Sequence, residues 1–302
     1  MDENSFVVHI PATTANLGPG FDCLGLALDL WNTVTFSLID AQSPIVIEGE
    51  GKSILPEDET NLIFQSANQL ANISGKSLPE NLHIYCRNNI PVASGLGSSA
   101  SAVICGLVGA KRILDININN HELLQTAAQI EGHADNAAAC LFGNLVLVRP
   151  ENDSLHITHL EIQPITAVVA IPEYSLSTKA AREVLPEKVR LEDAVFNISR
   201  TVELVQVFHE GNYESLKETM SDKLHQNYRM PFLPGAEHAM QAALNTGAYG
   251  TSLSGAGPSV IAFTTQKMAQ SVGDAMQSVY QQNSISARIF LLGCPAKGCF
   301  IT

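Results

Sequence analysis

The stretch Pro91-Val92-Ala93-Ser94-Gly95-Leu96-Gly97-Ser98-Ser99-Ala100-Ser101 constrains this chain more than any other. It joins an alternating, strand-like run from Leu82 to Cys86 to a segment of small and apolar residues from Ser98 to Leu114. Glycine reaches backbone conformations closed to other residues, so a Gly-x-Gly turn can aim successive N–H groups at one point. A helix opening at Ser98-Ser99 adds unpaired N–H groups and the positive end of a dipole. The stretch therefore reads as an anion cradle, with phosphate the first ligand to consider. It is neither of the two commonest nucleotide loops, since it has no Gly-Lys-Ser/Thr and its glycines do not follow Gly-x-Gly-x-x-Gly. Spacing alone leaves open a plain strand-to-helix turn in which the serines are caps. The helix that follows is apolar on most faces, which makes it a buried and rigid mount.

A phosphate ligand would have to be held by local groups, because the chain carries a net charge of −13. That balance argues against unspecific binding to nucleic acid or to an anionic membrane surface, both of which need a basic face. No apolar run approaches bilayer length, and the acidic start Met1-Asp2-Glu3-Asn4 lacks a signal-like core, so the cytoplasm is the expected location. Six scattered cysteines without a Cys-x-x-Cys pair indicate buried thiols rather than a zinc site or a disulfide framework. A length of 302 residues is long for one core. The break at Pro150 to Asp153 and the apolar restart at Ile165 predict two domains, 1–163 and 164–302.

Along the chain, Phe6 to Ile10 reads as a strand ended by Pro11, followed by a structured loop that projects Asn16 and Asp22. Strand-like runs follow at Leu24 to Leu30, Thr33 to Ile39 and Ile45 to Ile47. A helix reaches Ile73 with Thr60 as its expected cap, and another spans His121 to Ile130. Next comes Glu131-Gly132-His133-Ala134-Asp135-Asn136, a polar cluster directly before the apolar run Ala137 to Phe142, which places it at the edge of a core. Long helices are expected over Leu191 to His209, Leu216 to Leu224 and Gln266 to Gln282. Basic residues are scarce, so Arg182 and Arg229, each in a small polar context, suit a carboxylate. Taken singly, each of these side chains could equally be a cap or a surface charge. The segment Gly247 to Ser259 is a second glycine-rich turn, where backbone must approach something closely, and strands close the chain at Val260 to Phe263 and Ala287 to Leu292.

Three motifs together are more specific than any one: Pro-x-x-x-Gly-Leu-Gly-Ser-Ser-Ala from Pro91, Pro-Ala-Thr-x-Ala-Asn-Leu-Gly-Pro-Gly-Phe-Asp from Pro11, and Ser-Leu-Ser-Gly-Ala-Gly-Pro-Ser from Ser252. They resemble the small-molecule kinases that include galactokinase, homoserine kinase and mevalonate kinase. Asn16 to Asp22, Glu131 to Asn136, Ser177 to Arg182 and His225-Gln226-x-Tyr228-Arg229 make the homoserine kinases the most similar branch. The resemblance implies an α+β fold of two domains: an N-terminal α/β domain resembling a ribosomal-protein domain, and a C-terminal ferredoxin-like α+β domain closing the cleft. It implies transfer of a phosphoryl group from ATP, with Mg²⁺, to the side-chain hydroxyl of L-homoserine, a step toward threonine. The loop Pro91 to Ser101 would wrap the phosphates, and Asn61-Leu62 would lie near the adenine. Glu131 with Ser98 or Ser99 would hold Mg²⁺. Asn16, Asp22, His133, Thr178, Arg182, Arg229 and Gly255 would form the amino-acid pocket. Asp135 matches the position of a candidate base in mevalonate kinase, which leaves Glu131, Ser98 and Asp135 as the catalytic candidates. The alternative to a base is direct attack by the alcohol, with Asp135 orienting Asn136 and the loop. A sister kinase acting on another small alcohol and a silent ATP-binding sensor are the competing functions, and a homodimer is the expected assembly. The chain departs from the homoserine kinase pattern at Ala134, at Ala137-Ala138-Ala139, and at Asn144, where glycine is usual.

Overall fold

The sequence folds into two sheets that share an apolar core. The computed structural model describes residues 5–152 and 154–302, so the acidic start at 1–4 and Asp153 of the expected domain break lie outside the described residues. Strand β1 (Ser5–Asn16) pairs with the long β2 (Gly20–Leu38). Pro11 does not end β1, contrary to expectation. The register shifts between Pro11 and Ala12, so the residue without an N–H sits at a bulge and pairing resumes at Ala12 opposite Leu28. Residues 11–16 are therefore strand rather than loop.

The chain continues through β3 (Ile45–Gly49), α1 (Leu62–Ile73), β4 (Leu82–Asn88), α2 (Ser98–Ile113), α3 (Asn120–Glu131), α4 (Asp135–Phe142), β5 (Leu145–Glu151) and β6 (Ser154–Leu160). Helices α1 to α4 cover one face of the first sheet, with Leu70, Leu107, Leu124 and Ala138 packed against Val8, Val34, Phe36 and Ile84. Asn61, not Thr60, caps α1: its Oδ1 accepts the Ile63 N–H at 3.0 Å, while Thr60 turns back to Asp58. Asn144 has φ +55°, a left-handed conformation that asparagine tolerates and glycine adopts freely.

The second half holds β7 (Thr166–Pro172), α5 (Thr178–Glu183), α6 (Leu191–Glu210), α7 (Leu216–Thr219), α8 (Gln226–Arg229), α9 (Ala236–Asn245), β8 (Gly250–Leu253), β9 (Val260–Thr264), α10 (Ala269–Gln282) and β10 (Ala287–Leu292). Its strands are antiparallel in the order β10-β7-β9-β8, with α9 and α10 on one face, which is the ferredoxin-like arrangement. Strand β7 is apolar throughout because Ala167 and Val169 enter the core shared with the first sheet, whereas Val168 and Ala170 face α9 and α10. The helix expected from Leu216 to Leu224 stops at Thr219. The Asp222 carboxylate takes the N–H groups of Leu224, His225 and Gln226, so the chain turns and restarts as α8. Strand β11 (Phe300–Ile301) returns to pair with β1. Among the described residues no helix is long and apolar enough to cross a membrane.

Candidate active site

Between the two sheets lies a cavity of about 590 Å³. One wall is the start of α2. Gly97 precedes it with φ +68°, and no side chain caps the helix, unlike α1, α3 and α5, which Asn61, Asn119 and Ser177 cap. Ser101 N–H pairs with Gly97 O, so the first-turn N–H groups of Ser98, Ser99 and Ala100 are left for the cavity these residues line. The serines are thus not caps.

The two glycine-rich segments meet here. Gly95 has φ +81°, and a Cβ on it would stand 2.4 Å from Ser254 O. The Ser254 hydroxyl donates to Gly95 O at 2.7 Å and pairs with the Thr14 hydroxyl at 2.9 Å, and the Ser259 hydroxyl donates to Ser94 O. A Cβ on Gly97 would stand 2.0 Å from the Thr13 hydroxyl oxygen. Thr13 in turn donates to Asn136 Oδ1 at 2.9 Å, and Asn136 N–H donates to Asp135 Oδ1 at 2.8 Å. Asp135, 2% exposed, also takes His133 Nδ1 at 2.9 Å. That bond outweighs burial, which acts the other way, and raises the His133 imidazole above its ordinary pKa. Asp135 is therefore connected through Asn136 and Thr13 to the glycine loop.

Beside the α2 start, the Ser99 hydroxyl donates to the Glu131 carboxylate at the end of α3. Ser98 lines the cavity without that bond. Pro91 and Leu96 are not on the cavity wall, in contrast to the rest of the loop named from the sequence. Leu96 is fully buried in the core between the sheets, and Pro91 O takes the Ser94 hydroxyl. Asn61 and Leu62 do line the cavity, next to Leu55, Ile63 and Cys105, an apolar recess that the sequence did not reveal.

The opposite wall gathers Asn16, Asp22, Thr178, Arg182, Arg229 and Gly255. Asn16 joins the two halves: its Nδ2 donates to Gly255 O at 2.8 Å and its Oδ1 takes Asp22 N–H at 3.0 Å. Asp22 and Arg182, read from the sequence as separate ligand-binding groups, form a bidentate pair with one another at 2.8 and 2.9 Å, each side chain about a third exposed where it lines the cavity. The hydrogen bonds that Arg182 donates to the Asp22 carboxylate hold its pKa above the ordinary value. Arg229 is 2% exposed and is held by Ala181 O at 3.0 Å and by His225 Nδ1 at 2.9 Å. Burial, then the neighbouring Arg182 cation, lowers its guanidinium to about 10, still protonated at neutral pH. Sequence reasoning missed the roles of Thr13 and Ser254, whose partners lie far away along the chain, and of Asp222, whose carboxylate turns the next four residues; only the motifs containing Thr13 and Ser254 carried any signal.

Known proteins share this sequence pattern and this fold. Residues 61–144 match the GHMP kinases N terminal domain and residues 204–282 the GHMP kinases C terminal domain. A homoserine kinase from Desulfitobacterium hafniense is 40% identical, over 97% of this chain and 99% of that protein. The crystal structure of homoserine kinase from Cytophaga hutchinsonii superposes with a TM-score of 0.87 at 30% identity, covering 100% of this chain and 98% of that one. Lactococcus lactis galactokinase shares the fold at 14% identity, with a TM-score of 0.71 over 99% of this chain and 95% of its own. With both domain models matched and full-length relatives at this identity, the chain belongs to the GHMP kinases, in the homoserine kinase group.

Proposed function

We propose that this enzyme transfers the γ-phosphoryl group of ATP to the side-chain hydroxyl of L-homoserine, giving O-phospho-L-homoserine on the route to threonine. The observation that carries this reading is a single cavity with an uncapped helix start on one wall and a set of opposite charges sized for an amino acid on the other. Homoserine is a zwitterion. Asp22 suits its ammonium, and Arg182 with Arg229 suits its carboxylate, so substrate would exchange its own charges for those of the Asp22–Arg182 pair. Asn16 and Gly255 fix the backbone of that pocket, with His133 and Thr178 at its edge.

At the other wall, the N–H groups of Ser98, Ser99 and Ala100 with the glycine loop would hold phosphates, and the apolar recess beside Asn61 and Leu62 would take the base. Glu131 and Ser99 fit Mg²⁺: two neighbouring oxygen donors suit an ion that keeps several waters and takes its other ligands from substrate phosphates. No group of three or more His, Cys, Asp or Glu side chains able to form an all-protein metal cage occurs among the described residues. When bound, Mg²⁺ neutralises charge on the transferring phosphoryl group. The chain's own contribution is alignment of the hydroxyl with the phosphate, since phosphoryl transfer needs positioning more than covalent help.

An alcohol with a pKa of roughly 16, near that of water, is not deprotonated beforehand by a carboxylate. Asp135 accordingly serves to orient His133, Asn136 and the loop. Six free thiols support a reducing, cytoplasmic location. The test is ADP release by purified protein with ATP, Mg²⁺ and a panel of amino and hydroxy acids. Turnover is expected with L-homoserine, and none above the water blank would overturn the reading.

A further inference from the structure

His225 belongs to the motif that singled out Arg229, yet it does not line the cavity and is fully buried. Its two ring nitrogens have different partners. Nε2 lies 2.8 Å from Gly18 O, which can only accept, so Nε2 carries the proton. Nδ1 lies 2.9 Å from Arg229 Nη1, which can only donate, so Nδ1 must be bare. Both contacts are satisfied at once by one form, the neutral imidazole protonated on Nε2.

The rest of the environment fixes the ring. Asp222 takes the His225 N–H at 3.0 Å and accepts Asn197 Nδ2 at 2.7 Å from α6. Asn197 Nδ2 also reaches Pro19 O at 3.1 Å, next to the Gly18 that His225 holds. The Phe21 ring stacks on His225 with centroids 5.2 Å apart, and both Arg229 and Arg182 lie over the same Phe21 ring. Gln226, the next residue, accepts Leu253 N–H at 2.7 Å and so ties α8 to β8. Arg229 has Nε committed to Ala181 O, while Nη1 donates to His225 Nδ1 at 2.9 Å and more weakly to Gly255 O at 3.4 Å, so the His225 bond is the shorter of the two that set that end of the guanidinium.

We infer that His225 is a positioning residue: as a neutral imidazole it holds the Arg229 guanidinium in one orientation and ties it to the Gly18 turn that carries Asn16 and Asp22. This rests on the reading of Arg229 as a ligand of the substrate carboxylate. Adding a proton to Nδ1 would remove the acceptor and set two cations 2.9 Å apart. The charged groups facing His225 are Arg229 from α8, Asp22 from β2, and Asp222, whose Oδ2 is 3.5 Å from Nε2. Burial is the largest influence and lowers the imidazole pKa, which keeps the neutral form dominant at physiological pH.

The test pairs two substitutions with a control. His225→Gln places an amide at the Nε2 position, within reach of Gly18 O, and leaves Arg229 without its acceptor; His225→Asn keeps an oxygen acceptor at the Nδ1 position. His225→Gln is expected to raise the homoserine KM about tenfold, with the ATP KM within about twofold. His225→Asn should return the homoserine KM to within about threefold of the parent and abolish the acid-side fall of homoserine kcat/KM. Equal impairment by both variants, parallel rises in both KM values, or an acid limb unchanged in His225→Asn would overturn the inference. Should His225→Gln fail to fold, the acid limb in the parent and in His225→Asn decides alone. Arg229→Ala separates the two readings: if it leaves the homoserine KM unchanged, the carboxylate assignment itself fails; if it raises that KM and His225→Gln does not, only the positioning role fails.

Discussion

The wall at the start of α2 and the wall around Arg229 are built by opposite means. The first is almost all backbone: Gly95, Gly97 and the open N–H groups of Ser98 to Ala100 come from one continuous stretch, and neutral hydroxyls from Thr13, Ser254 and Ser259 lock it. The second is side chains, most of them ionic, gathered from β1, β2, α5, α8 and the β8–β9 turn. A backbone wall tolerates no added atom, and an ionic wall tolerates no lost partner. Phosphate binding gains from fixed dipoles that need no reorganisation, whereas selecting one zwitterion requires charges at particular places.

The largest effect that would sharpen this contrast is at Gly97. Gly97→Ala puts a Cβ against the Thr13 hydroxyl at a left-handed backbone position, so kcat/KM for ATP should fall about a hundredfold or more. A mild loss in steady-state kinetics would mean that the loop yields readily. Next is Arg229→Ala, which should raise the homoserine KM about a hundredfold while the ATP KM stays within about twofold. Equal losses for both substrates would erase the distinction between the walls.

Asp135 sits on the boundary between them, since it holds His133 on one side and, through Asn136 and Thr13, the loop on the other. With a role in orientation, Asp135→Asn should lower kcat only about tenfold in single-turnover measurements, and a loss of about a thousandfold or more with binding intact would identify it as a base. The smallest effect is on stability against pH, where the two histidines act with opposite sign. His133 has a raised pKa in the folded state, so its stabilising contribution is complete below 6.5 and is lost as pH rises through the folded value. His225 has a lowered pKa, so its contribution is present above 6.5 and is lost as pH falls toward the folded value. Urea unfolding across pH should therefore lose its acid-side decline in His225→Asn and its alkaline-side decline in His133→Asn; unchanged profiles would show that other groups dominate.

Legibility in the sequence followed the same division. The helix start at Ser98 and the glycine loop were readable because their chemistry is local: the residues that make the turn are the residues that make the site. The ferredoxin-like half came from resemblance rather than periodicity, and its strand order agrees with it. Local reading fails in two ways. Pro11 reads as a strand end because the bulge that accommodates it depends on pairing with the distant β2. Leu216 to Leu224 reads as one helix because the Asp222 side chain that turns the next four residues is a local device with no periodic signal. Leu96 reads as part of the ligand-wrapping loop, whereas packing between the sheets buries it.

The amino-acid sequence by itself determined the glycine turn and the helix start it leads into, the acidic chain that would force any phosphate to be held locally, and the identities of the charged residues available for an acceptor. Only the tertiary structure decided how those charges are used: that Asp22 and Arg182 hold one another, that Arg229 is oriented by a neutral histidine, and that Asp135 is wired to the loop. A turn is written in neighbouring residues because backbone conformation is a local property. An ion pair across a cleft or a histidine tautomer is set by groups brought together across many residues of chain, and that meeting exists only once the two sheets have packed.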